Sequence, residues 1–82
     1  MNLNQYISEK LEKLRKEKHM GVYTLCNKAA ISYETYRSIR KNRNKDIYVR
    51  TLLILLTTLE VSPAEFFDDP IFTNGEIDLD FK

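Results

Sequence analysis

Apolar residues recur at steps of three and four along most of this chain, and the α-helix, at about 3.6 residues per turn, is the backbone that gathers such positions onto one face. Leu3, Ile7, Leu11 and Leu14 line a helix expected over about residues 3–18, with lysines and glutamates on its other side. His19, Met20 and Gly21 interrupt the pattern, and Val22, Leu25, Cys26 and Ala29 resume it over a second, short helix. Ile31 then supplies a buried anchor and Ser32 an N-cap, whose hydroxyl can accept from the free N–H groups of a third helix starting at Tyr33. In that helix Tyr36 and Ile39 face inward, while Tyr33, Glu34, Arg37, Ser38 and Lys41 face outward.

A polar loop over residues 42–46 follows, opened by Asn42, a residue that tolerates the left-handed conformation at helix ends. The fourth helix, expected over about residues 48–60, carries Leu52, Leu55, Leu56 and Leu59 as its core stripe. Leu53, Ile54, Thr57 and Thr58 leave its remaining surface uncharged, a face expected to meet another surface. Ser62, Pro63 and Glu65 spell a helix start, with Val61 and Phe66 placed as a hydrophobic staple, and this fifth helix is expected to end near Asp69. Beyond Pro70, Ile77, Leu79 and Phe81 alternate with Asp78 and Asp80 after the turn pair Asn74 and Gly75, which predicts a short strand or hairpin.

The bulk numbers agree with a helical bundle. The chain is 43% apolar and 30% charged with two glycines and two prolines, too hydrophobic for disorder and too poor in turn residues for a β-sandwich. Eighty-two residues leave room for one core. The expected organisation is a helical domain over residues 1–69 and an acidic C-terminal extension over residues 70–82, a candidate dimerisation strand. No secretory signal pattern opens the chain, and the longest apolar-rich run, residues 51–59, falls far short of the roughly 20 residues that span a bilayer, so a cytoplasmic protein without membrane contact is expected.

Charge is divided by position. Residues 1–50 hold twelve lysines and arginines against five acids, net +7, whereas residues 51–82 hold one lysine against seven acids, net −6. Such a division suits a basic face turned to a polyanion and an acidic end that stays off it or meets another protein.

Catalysis has little support. Cys26, the single cysteine, sits on the apolar stripe and His19 at a helix end, so they do not read as nucleophile and base. Asp78 and Asp80 alternate along a chain segment instead of converging, so no metal site, cofactor or small-molecule ligand is expected and the chain does not read as an enzyme.

Two short helices joined by Ala30, Ile31 and Ser32, behind one long helix and before two more, follow the plan of a helix-turn-helix unit. Over residues 5–67 the chain resembles the Cro and phage-repressor-like (XRE-type) helix-turn-helix DNA-binding proteins. The matching residues are Leu14 to Glu17 at the end of the first helix, Leu25 and Cys26, Ile31 and Ser32, Tyr36 and Ile39, and then Leu52, Leu55, Leu59, Val61 and Ser62. The resemblance implies an all-α, five-helix lambda-repressor-like helix-turn-helix domain, here with a short C-terminal strand or hairpin. It implies a sequence-specific regulator of transcription, a repressor, acting on double-stranded DNA as a homodimer.

Departures mark where the family's contacts do not transfer. Gly21 stands at a capping Ser or Thr, Val22 at a glutamine that touches the DNA backbone, and Ala30 at the turn glycine. Arg40 replaces a glutamate that pairs in the family with the arginine found here as Arg15, which would leave two like charges side by side and Arg40 free for phosphate. By the same resemblance Tyr33, Glu34, Thr35, Arg37 and Ser38 read base edges, with Arg37 suited to guanine, Glu34 to cytosine and the Thr35 methyl to thymine. Arg15, Arg40, Lys41, Arg43, Asn44 and Lys45 are the expected phosphate contacts. Ile54, Phe72, Ile77, Leu79 and Phe81 are the expected dimer contacts, packing on one another or across a two-fold axis.

Two rival readings keep the same fold. An antitoxin-like adaptor would bind proteins through the acidic tail without DNA readout, and Val22 and Arg40 favour it. An RNA-binding role lacks an aromatic-lined sheet or single-strand platform.

Overall fold

The computed structural model of the chain describes residues 1–41 and 46–79. Five α-helices follow in order: α1 (Leu3–Glu17), α2 (Val22–Ala29), α3 (Tyr33–Arg40), α4 (Val49–Leu59) and α5 (Pro63–Phe66), and then a short 3-10 turn at Pro70–Phe72. α1 packs on α3, α2 on both α3 and α4, and α5 on α4. Leu11, Leu25, Tyr36, Leu55 and Phe66 meet in the fully buried centre, one from each helix. All four leucines of the α4 stripe are buried, as their spacing predicts.

Side-chain caps start α1, α3 and α5. Asn2 and Gln5 form a capping box on α1, the Gln5 N–H donating to Asn2 Oδ1 at 2.8 Å and the Asn2 N–H to Gln5 Oε1 at 3.0 Å. Ser32 caps α3 by accepting from the Thr35 N–H at 3.1 Å, and Ser62 caps α5 by accepting from the Glu65 N–H at 3.1 Å. Gly21 caps α2 with no side-chain hydrogen bond.

Helix ends are less ordinary. His19, Ala30 and Glu60 hold φ values of 54°, 56° and 60°, in the left-handed region that glycine adopts without penalty. The conformation closes each helix through paired backbone bonds, as where Ile31 N–H donates to the Cys26 carbonyl at 3.1 Å and Ala30 N–H to the Asn27 carbonyl at 3.3 Å. Ala30, expected to carry its methyl in place of a turn glycine, therefore does so with a left-handed backbone.

Two expectations are corrected past α4. The fifth helix stops at Phe66, because Asp69 spends its side chain capping the next turn, Oδ1 accepting from the Ile71 N–H at 3.0 Å. Among the described residues no hairpin forms around Asn74 and Gly75. A turn is present, with Gly75 at φ 78° and Asn74 Oδ1 accepting from the Glu76 N–H at 3.0 Å, but the segment ahead of it cannot lie extended. Pro70 starts the 3-10 turn, and Phe72 is held edge-on to Tyr6 at 4.8 Å and to Phe67 at 5.4 Å. Asp78 instead pairs with the amino end of the chain as a single parallel bridge, its N–H donating to the Met1 carbonyl at 3.0 Å and its carbonyl accepting from the Leu3 N–H at 3.2 Å.

Tyr6 organises this corner. Its hydroxyl donates to the Phe66 carbonyl, and its ring also meets Phe66 edge-on at 5.8 Å. Burial, with Asp69 and Asp68 nearby, pushes its phenol pKa up, so it stays a neutral donor. No described helix is long and apolar enough to cross a membrane.

Candidate nucleic-acid interface

α3 is anchored from behind and open in front. Tyr36 fixes its inner face, and half-buried Ile39 packs beside it. Glu34, Arg37 and Lys41 fall on the opposite side, with Glu34 and Lys41 exposed and the Arg37 side chain 39% exposed. Glu34 and Arg37 meet at 3.6 Å across one turn, a solvent-facing pair that contributes only about 0.3–0.5 kcal/mol and so yields easily to a competing partner.

The other expected readers are placed differently. Thr35 Oγ1 lies 2.8 Å from Ser32 Oγ, so its hydroxyl belongs to the helix cap and its methyl remains available. Half-buried Ser38 borders a groove of about 190 Å³ beneath α3, shared with Thr35, Ile47, Tyr48 and Thr51. Tyr33 is stacked on Tyr23 of α2, ring centroids 4.7 Å apart and planes inclined by 14°.

The anchoring of α3 runs through Glu12 of α1. Arg15 grips it at both oxygens, Nε to Oε2 at 2.7 Å and Nη2 to Oε1 at 2.9 Å, and the Tyr36 hydroxyl donates to Oε2 at 2.7 Å. Arg40 approaches Oε1 at 3.4 Å, and Ser8 Oγ donates to the Arg40 carbonyl at 3.2 Å. Burial alone would raise the Glu12 pKa, but hydrogen bonds from Arg15 and Tyr36 and the charges of Arg15 and Arg40 outweigh it and hold the carboxyl below its usual range. Tyr36 moves the other way: burial first, and then the Glu12 carboxylate, push its phenol far above the ordinary value.

This network changes two expectations. Arg15 does not present itself to phosphate: its side chain is 12% exposed, both Glu12 oxygens hold it, and Nη1 donates to the Met20 carbonyl at 2.8 Å. Arg15 and Arg40 are also not an unrelieved pair of like charges, because Glu12 lies between them. Arg40 still keeps 39% of its side chain exposed and holds Glu12 at a longer distance than Arg15 does, so it remains reachable. Arg43, Asn44 and Lys45 lie outside the described residues, as does Phe81.

Of the expected dimer contacts, Phe72 and Ile77 pack on the chain's own core and Ile54 is half-buried against it, while Leu79 is exposed. Exposed Tyr48, Val49 and Leu53 add apolar surface along and just before α4. Cys26 is buried, and burial raises its thiol pKa, which keeps it protonated. Among the described residues no group of three or more His, Cys, Asp or Glu is placed to hold a metal ion.

Glu12, Ser8 and Tyr23 escape the sequence reading. The three-residue step from Glu12 to Arg15 is a readable signal for the first, since such positions are neighbours on a helix. Nothing in the spacing announces Tyr23, whose partner depends on how α2 and α3 cross.

The profile of the Cro/C1-type helix-turn-helix DNA-binding domain matches residues 10–70 of the chain. Among solved structures, the restriction-modification controller protein C.Esp1396I, crystallised as a tyrosine-to-phenylalanine mutant, is similar with a TM-score of 0.74 and 27% identity, covering 83% of this chain and 87% of its own. A comparison with curated proteins finds no match.

Proposed function

The chain belongs to the family of Cro/C1-type helix-turn-helix DNA-binding domains and is a DNA-binding regulator of transcription; we propose further that it is a sequence-specific repressor that reads the major groove with the outward face of α3. The observation that supports this most is the contrast between the two faces of α3. Its back is fastened to α1 through Tyr36, Glu12 and Ser8, while Lys41 and the weakly paired Glu34 and Arg37 face outward in front. A rigid rod with exposed polar side chains suits groove reading, because only preorganised groups discriminate base edges without a large ordering cost.

In this reading Arg37 takes a guanine in bidentate fashion and Glu34 accepts from a cytosine amino group, the two separating from each other on binding. Arg40 and Lys41, with Arg43, Asn44 and Lys45 following in sequence, hold phosphates. Arg15 drops out of that set and becomes a structural residue. Repression follows from occupancy of a promoter.

One such unit reads few base pairs, so two copies are expected to bind half-sites about 34 Å apart. We assign the pairing of copies to the α4 side, where Val49, Leu53 and Ile54 line a groove of about 520 Å³ with Lys28 and Arg50 at its rim. Sedimentation at high protein concentration tests it: a dimer that Leu53→Asp dissociates supports the assignment, and a monomer throughout removes it.

The test of the function itself is binding to duplex DNA over a salt series. A repressor of this kind loses affinity with a slope of about −0.9 per phosphate contact, whereas a protein-binding adaptor with the same fold binds no DNA at any salt.

A further inference from the structure

We infer that Tyr23 and Tyr33 work as one stacked aromatic plate at the amino end of α3, with Tyr33 reading a thymine methyl and Tyr23 holding the Tyr33 ring in its reading position. This rests on the groove reading proposed above and adds a base preference to it. Tyr23 is the second residue of α2 and Tyr33 the first of α3, so the stack bridges the two helices of the helix-turn-helix unit. Tyr23 is 67% exposed, an unusual outlay of apolar ring for a residue with no core to fill.

The 4.7 Å separation and 14° inclination mean that one face of the Tyr33 ring is already covered by its neighbour. A tyrosine has only two side-chain torsions, and a ring stacked on an adjacent helix has surrendered most of that freedom before any ligand arrives. Tyr33 is half-buried, so part of its ring stays accessible.

That surface is apolar, so it can discriminate bases by shape alone. In the major groove the one apolar group on a base edge is the C5 methyl of thymine. Tyr33 and Arg37 are four residues apart and share a side of α3, about 6 Å apart along the axis. Base pairs rise by about 3.4 Å, so the thymine lies one or two steps from the guanine that Arg37 takes.

The experiment uses a duplex selected by the full-length protein from a random pool, with each thymine in turn replaced by deoxyuracil, which lacks only the methyl. One replacement, one or two steps from the guanine whose preference Arg37→Ala relaxes, should weaken wild-type binding about fourfold, equivalent to about 0.8 kcal/mol for one methyl-sized group. Tyr33→Ala should bind both duplexes equally and Tyr33→Phe should keep the difference. Tyr23→Ala should shrink the difference and Tyr23→Phe restore it, a pattern that a purely stabilising tyrosine would not produce. Wild-type protein that binds its selected duplex yet ignores every replacement overturns the inference and leaves the DNA-reading proposal standing. Full sensitivity in Tyr23→Ala overturns the positioning role of Tyr23. Failure to select any duplex removes the reading on which the inference rests.

Discussion

The hydroxyl of Tyr36 donates to the carboxylate of Glu12 at 2.7 Å, from the centre of α3 to the middle of α1. Twenty-four residues separate the two in sequence, and their contact sets the pose of the helix that faces outward. Because Arg15 completes the carboxylate's bonding from the same helix, the charge is satisfied on both oxygens inside a partly buried site.

Glu12→Gln should therefore destabilise the fold by about 1–3 kcal/mol at neutral pH, the range for hydrogen bonds to a charged group left imperfectly met. The folded-state pKa of Glu12 is lowered, so its stabilisation is present above the unfolded carboxyl pKa and disappears as pH falls through the lower folded value. Thermal melts of both proteins across that acidic range should converge at the low end, and a gap independent of pH would count against the ion pair.

Ala30 carries its methyl at φ 56°. Ala30→Gly should raise stability by about 0.5–1 kcal/mol, the left-handed strain outweighing the entropy that glycine adds to the unfolded chain. Urea midpoints with unchanged slope would read this directly. A lower midpoint would show that the turn is relaxed around alanine.

Phe72 ties the segment after α5 to Tyr6 and Phe67. Truncation to alanine should cost about 1–3 kcal/mol, less than for a fully buried phenylalanine, and should speed hydrogen exchange at the Leu3 and Asp78 amides of the single bridge. Unchanged exchange there would mean that the bridge holds without the aromatic anchor.

Lys41 caps α3 and is exposed beside the reading face. Lys41→Ala should weaken binding to all DNA sequences evenly and reduce the magnitude of the salt slope by about 0.9, the loss of one phosphate contact. A change confined to particular sequences would assign it to base reading instead.

The helices were legible because their causes are local: apolar steps of three and four placed Leu11, Leu25, Tyr36 and Leu55 in the core, and Ser32 and Ser62 cap the helices they precede. Among the described residues the alternation that begins at Ile77 yields a single bridge at Asp78 and no hairpin, because Pro70 and Phe72 deny the preceding segment an extended path. Arg15 looked like a phosphate ligand while only its charge was in view. Its burial follows from Glu12, Met20 and Tyr36 converging on one place, a product of how α1 and α3 pack. The Tyr23 and Tyr33 stack has the same tertiary origin.

The most direct test of α3 as the reading element is selection of bound sequences from a random duplex pool by wild-type protein and by Arg37→Ala. Wild type should return a defined motif, and the variant should lose preference at one base pair by about 1–3 kcal/mol while the rest of the motif persists. Identical motifs from both proteins, or no enriched motif from wild type, would contradict groove reading by this face.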